Sequence, residues 1–319
     1  MPRFATFVPQ GVIPAVLLPF KEDFSIDADA FTSHLLDVGA VQGVTALTIN
    51  AHSTEVSSCS FDEQRAVLDL ALEAVGTRLP IVNGVYADGS LEAQRIARMA
   101  TSAGASALLV FPPNVYRYGH RPEMAIEHLR RIADVSDLPL VVFQYPVASG
   151  QGYSVSTLLK IIEAVPTVRA IKDGCASPEL HEKHIRTLQS LPRPVNVLST
   201  HSSWLFSSLV LGCDGLLSGS GSVIADLHAR LYRAIQGDDL RTARELNIRI
   251  RATSEVFYAD PRSDMHNRMK EALVLLGKLR CPAVRPPLVK LSREEIQRIK
   301  DALIAAGLLT QDGRARLAA

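Results

Sequence analysis

The chain has 319 residues, 47% hydrophobic and 21% charged, with a formal net charge of +1. That is globular composition, long enough for one large domain or two smaller ones. The near-neutral balance gives no basis for nucleic acid or an anionic membrane as partner, and no apolar stretch approaches a membrane span. Residues 1–20 are apolar but broken by Pro2, Pro9, Pro14 and Pro19, so no signal peptide is expected. Cys59, Cys175, Cys213 and Cys281 lie far apart with no C-x-x-C spacing. They imply neither a zinc site nor a disulfide framework, and a reducing cytoplasm is the simplest home.

Taken in chain order, short apolar runs alternate with longer segments of helical spacing. The runs cover residues 12–18, 44–50, 80–85, 107–111, 138–143, 168–172, 195–199 and 215–218. Each is mostly free of polar alternation, as strands buried on both faces should be. The spacing predicts helices over residues 30–41, 61–75, 91–103, 122–135, 155–165, 202–211 and 222–235. Eight strands alternating with helices point to a (β/α)8 TIM barrel over residues 1–237. A doubly wound open sheet would usually offer a glycine fingerprint after the first strand, and Leu18-Pro19-Phe20 offers none. Residues 238–319 read as a C-terminal extension of three helices, over 239–256, 263–279 and 292–306.

In such a barrel the active site lies at the C-terminal ends of the strands. Lys172 ends strand six, in Val168-Arg169-Ala170-Ile171-Lys172-Asp173. A lysine at the edge of a core loses part of its preference for charge, and its neutral amine can attack a ketone to form a Schiff base. On position alone the alternative is a lysine that extends its ammonium to solvent. The other strand ends offer Asn50 to Glu55, Phe143-Gln144, Thr200-His201, and Ser218-Gly219 with Ser220-Gly221-Ser222.

Eight barrel units, three C-terminal helices and an Ile171-Lys172-Asp173 lysine resemble the dihydrodipicolinate synthase and N-acetylneuraminate lyase family. The opening Gly11-Val12-Ile13-Pro14-Ala15 and the helix start Phe61-Asp62-Glu63-Gln64-Arg65 are similar as well. The resemblance implies a class I lyase without cofactor, acting on a 2-oxo acid such as pyruvate, with Lys172 as nucleophile. It also implies a homotetramer and a substrate carboxylate held in the loop after strand two.

The sequence departs from the family pattern in four places. The strand-two loop reads Ala51-His52-Ser53-Thr54-Glu55. Ser53 matches a carboxylate-binding hydroxyl, His52 replaces another, and Thr54 stands where the family has glycine. A β-branched residue tolerates positive φ poorly, so a different loop shape is expected. His52 either binds substrate and moves protons or only hydrogen-bonds the loop. On strand five, Phe143-Gln144-Tyr145-Pro146 puts Phe143 at the position of the family's proton-relaying tyrosine, with Tyr145 as the fallback. Gln144 is a pocket wall or a satisfied buried amide. After the proline, residues 147–150 contain no arginine to grip a second carboxylate, so dihydrodipicolinate synthesis itself is not expected. After strand four, Tyr116, Arg117 and Tyr118 either enter the site or lie on a surface loop.

His201 either meets the substrate's far end or merely starts the next helix. The Gly219-Ser220-Gly221-Ser222 segment suits a phosphate, as in a sugar-phosphate aldolase, or is a turn with Ser222 as helix cap. A non-catalytic metabolite-binding protein is a further rival. A metal-dependent aldolase would need a better set than His52, His201 and Asp173, so no metal is expected.

Overall fold

The computed structural model describes residues 4–315; Pro2, used above in reading the N-terminal stretch, lies outside them. The apolar runs become eight parallel strands: β1 (Gly11–Pro14), β2 (Leu47–Ile49), β3 (Ile81–Val85), β4 (Ala107–Val110), β5 (Leu140–Gln144), β6 (Val168–Asp173), β7 (Asn196–Ser199) and β8 (Gly215–Ser218). Neighbours in sequence pair in the sheet, and β1 pairs β8. Isolated parallel bridges Val12↔Val44 and Ala15↔Thr48 join β1 to the segment around β2. The result is a (β/α)8 barrel.

Helices follow each strand: α1 (Ala28–Gly39), α2 (Phe61–Ala74), α3 (Ser90–Ala103), α4 (Pro122–Ala133), α5 (Val155–Ala164), α6 (Pro178–Leu188), α7 (Leu205–Val210) and α8 (Gly221–Gln236). Alternating strand residues divide the apolar core in two. Ile13, Val82, Leu109, Val141, Ala170 and Leu217 fill the barrel interior, while Val142, Ile171 and Val197 pack outward against the helices.

Three segments differ from expectation. The first strand ends at Pro14 rather than running to residue 18, because Leu17 N donates to Ser222 Oγ at 2.9 Å instead of to a ladder. The segment 202–211 is a 3-10 turn, Ser202–Trp204, followed by the short α7. Helix α6 has no counterpart among the predicted helices. Its buried face carries His181, His184, Ile185 and Leu188, so half of it reads as polar and the apolar period is hidden.

The extension comprises α9 (Leu240–Phe257), α10 (Met265–Leu275) and α11 (Arg293–Ala305). It is pinned by buried charge. Arg268, 2% exposed, donates to the carbonyls of Ala259 at 2.6 Å and Asp260 at 3.3 Å, and pairs with Glu295 at 2.5 Å. Lys270 Nζ reaches back 2.5 Å to Glu55 Oε1. Among the described residues no helix is long and apolar enough to cross a membrane.

Candidate active site

A cavity of about 840 Å³ opens at the C-terminal ends of the strands and is lined by Lys172 from β6. Register places Lys172 beside Phe143, its Cα partner across β5 and β6. The ammonium nitrogen lies 4.2 Å from the centre of the Phe143 ring. Lys172 is 6% exposed, and no carboxylate pairs with it among the described residues. Burial pushes its pKa down to about 7, so near neutral pH a large share of the side chain is free amine.

The loop after β2 supplies two groups to the same cavity. Ser53 is buried, lines the cavity, and its hydroxyl has no partner. An unpartnered buried hydroxyl is costly, and this one stands at the cavity with its hydrogen bond unspent. Beside it His52 Nε2 lies 2.6 Å from the Tyr145 hydroxyl. The His52 ring packs edge-on to Phe111 at 4.8 Å and Tyr86 at 5.7 Å. Burial, aided by the Lys172 charge, holds His52 down at about 4, and burial raises the Tyr145 hydroxyl above its ordinary range. The pair is therefore a phenol and a neutral imidazole in hydrogen-bond contact.

The positive φ angles of the loop fall on residues other than Thr54. His52–Thr54 is a 3-10 turn, and the left-handed residues are Asn50 at φ 50° and Glu55 at φ 51°. The Thr54 hydroxyl donates to Ala51 O at 2.8 Å, and Thr54 does not line the cavity. Glu55 is held in its unfavourable conformation by Lys270 and by the backbone N–H of Arg285 at 2.9 Å. Gly84 is needed beneath this loop, since a Cβ there would meet Asn50 O at 1.8 Å.

Gln144 is fully buried and clamps Tyr153, donating to its carbonyl at 2.8 Å and accepting from its N–H at 3.0 Å. It is a satisfied amide away from the cavity. Ser218 is paired with Ser220 at 3.0 Å, whereas Gly219 does line the cavity. The rest of the glycine–serine segment is committed elsewhere. Ser220 N donates to the Tyr258 hydroxyl at 3.2 Å, and the Ser222 hydroxyl meets Leu17 N and His34 rather than capping a helix. Tyr116 is buried against His120, Tyr118 is exposed, and neither lines the cavity.

His201 lines the cavity, stacked on Trp204 at 3.9 Å, and burial holds it at about 4. Asp173, the next residue after Lys172, faces the helices and accepts from His181 Nδ1 at 2.8 Å and His184 Nδ1 at 2.7 Å. Burial opposes the Asp173 charge, but these hydrogen bonds prevail and hold its carboxyl well below the usual range. Burial likewise opposes the His181 charge, yet the bond to Asp173 raises it to about 9.

Sequence reasoning missed the cavity's outer wall. Arg251, Glu255 and Tyr258 of α9 and its end, Arg262, and His266 of α10 all line it. Arg251 pairs with Glu255 at 2.6 Å; Arg262 has no ion pair among the described residues. No strand-end rule points to residues on an appended helix, so nothing in the sequence singled them out.

The Dihydrodipicolinate synthetase family profile matches residues 8–306. The chain belongs to the dihydrodipicolinate synthetase family. One relative is the 4-hydroxy-tetrahydrodipicolinate synthase of Sphingopyxis alaskensis, 30% identical over 301 residues, covering 94% of this chain and 99% of that protein. Another, from Thermococcus kodakarensis, is described as an uncharacterized DapA-like lyase and is 27% identical, covering 92% of this chain and 99% of the other. The solved structure of YagE from E. coli K12, in complex with pyruvate, superposes with a TM-score of 0.87 at 24% identity, covering 94% and 99% of the two chains. That likeness shows the shared fold.

Proposed function

We propose that this member of the dihydrodipicolinate synthetase family is a class I lyase, an aldolase or dehydratase acting on a 2-oxo acid. One observation carries the reading: a buried lysine amine with no carboxylate partner opens into a cavity that also presents the unpartnered hydroxyl of Ser53. The free amine of Lys172 adds to the ketone carbon. Water leaves, and the resulting iminium draws electrons from the neighbouring carbon. For a 2-keto-3-deoxy sugar acid, a base takes the C3 proton, the electron pair shifts into the enamine, and the C4 hydroxyl departs as water with a returned proton. The same iminium serves carbon–carbon cleavage when the base instead takes the C4 hydroxyl proton: the C3–C4 bond breaks, its electron pair becomes the enamine, and C4 leaves as an aldehyde.

Phe143 cannot carry these protons, and the pair formed by Tyr145 and His52 takes the task. The stretch after β5 lacks the arginine of the named synthases, which disfavours an aldehyde with its own carboxylate in that corner. Arg262 lines the cavity, and an elongated substrate with an anionic terminus would meet it there. The groups that a sugar phosphate would use after β8 are committed elsewhere: Ser220 N–H donates to Tyr258, and the Ser222 hydroxyl accepts from Leu17 N–H and lies against His34.

The test is borohydride reduction with pyruvate, read by intact-protein mass. A single adduct that maps to Lys172 is expected. Absence of any adduct with pyruvate and with a panel of larger 2-oxo acids would remove the lyase reading and favour a binding protein. Ser53→Ala should raise the pyruvate concentration needed for half-maximal trapping by about tenfold or more, the loss of one hydrogen bond to a charged group. Tyr145→Phe and His52→Asn should each slow exchange of the pyruvate methyl protons into deuterated water, followed by NMR, by roughly 10²–10⁴-fold. Unchanged exchange in both variants would rule out the relay while leaving Lys172 untouched.

A further inference from the structure

On the outer side of β6, behind the lysine, four side chains of metal-ligating type converge. They are Asp173, Cys175, His181 and His201, all buried, and one donor atom of each lies within 4.8 Å of the other three. The sequence alone groups Asp173 and His201 with His52, which the structure places elsewhere, against Tyr145. The partner missing from that group, His181, sits on the helix that the apolar pattern conceals.

We propose that this cluster is a four-ligand site for a divalent ion of the zinc class. The Cys175 Sγ to His201 Nε2 distance is 3.8 Å, and His181 Nδ1 to Asp173 Oδ2 is 2.8 Å. Zinc bonds of about 2.0–2.3 Å give tetrahedral edges of about 3.3–3.6 Å. The two distances bracket those edges, so closing round an ion takes side-chain shifts of about an ångström. A thiolate with two imidazoles selects zinc-class ions over magnesium or calcium.

The outer layer that a metal site requires is already in place. The Ser208 hydroxyl lies 2.7 Å from His181 Nε2 and fixes that ring. Asp173 is oriented by the Cys175 N–H on Oδ1 at 3.0 Å and by His184 on Oδ2 at 2.7 Å. Entry runs through the cavity, whose wall His201 helps to form. The arriving ion displaces the thiol proton of Cys175 and the proton held between His181 and Asp173. Two positive charges replace two, so the buried cluster gains no net charge. A bound ion would lock the loop after β6 to the turn after β7 and so fix the wall that His201 and Trp204 present to substrate. Lys172 points to the opposite side of its strand, and the site does not depend on Schiff-base chemistry.

Cobalt(II), added to the reduced full-length protein, is the probe. The expected result is a thiolate-to-cobalt charge-transfer band in the near ultraviolet with the strong visible bands of a four-coordinate ion, both abolished by zinc. Cys175→Ser should remove the charge-transfer band, and Cys281→Ser should keep it. His184→Gln, which leaves every ligand in place, should weaken binding by about tenfold. No such band in the parent protein, or a band that survives Cys175→Ser, overturns the proposal. Circular dichroism checks folding; if Cys175→Ser does not fold, His201→Asn decides the matter, with loss of the four-coordinate visible bands expected and their persistence overturning the proposal.

Discussion

Lys172→Met is expected to yield an inactive protein that is more stable than its parent. Removing the proposed nucleophile should cost roughly 10⁴-fold or more in turnover and abolish the borohydride adduct. The gain in stability follows from linkage. The folded-state pKa of Lys172 is about 7, against an ordinary value of 10.5. Between those two pH values the unfolded chain binds more protons than the folded one, so stability rises with pH across that window. Below the folded value the full penalty for burying the ammonium applies, and at pH 7 it is already on the order of 4 kcal/mol. Methionine fills similar space with no charge to bury. Chemical denaturation at pH 7 and pH 10 checks this: the advantage of Lys172→Met should be clear at the lower pH and shrink at the higher. In the parent, the initial rate of adduct formation should climb as pH rises through about 7 and then level, as the free amine fills. A flat stability difference, or a rate that rises only near pH 10, would mean that the lysine is solvated.

Lys270→Met is expected to destabilise the protein by about 3–5 kcal/mol, because it strands a buried carboxylate. Glu55 is 5% exposed and Lys270 fully buried. Burial works against the lysine's charge and lowers its pKa despite Glu55. The double variant Lys270→Met with Glu55→Gln should recover much of that loss, since two neutral groups replace a pair that was costly to desolvate. A single variant as stable as the parent would show that the pair is hydrated. The site should register the change too, because Glu55 ends the turn that carries His52 and Ser53.

The barrel was legible because parallel strands buried on both faces leave apolar runs that need no alternation. Lys172 was legible because the fold rule and the family resemblance agreed on one position. The placement of Phe143 followed from Pro146, and the β5–β6 register put it beside the lysine. Two kinds of information were hidden. Helix α6 buries histidines where a pattern reader looks for leucines, so its buried face was hidden. The outer wall comes from α9 and α10, whose cavity-facing residues follow only from how the extension docks. Thr54 lies within a 3-10 turn, and the left-handed positions of this loop are Asn50 and Glu55, where tertiary contacts hold them.

The two halves of the Glu55–Lys270 pair are 215 residues apart in the chain. A nascent chain that has left the ribosome with all eight strands still lacks the ammonium that neutralises Glu55 and the Arg285 N–H that holds its second oxygen. The turn bearing His52 and Ser53 acquires both contacts only after α10 and Arg285 have emerged. A chain truncated after β8 lacks both contacts and leaves the Glu55 carboxylate without the partners that hold it in the complete fold.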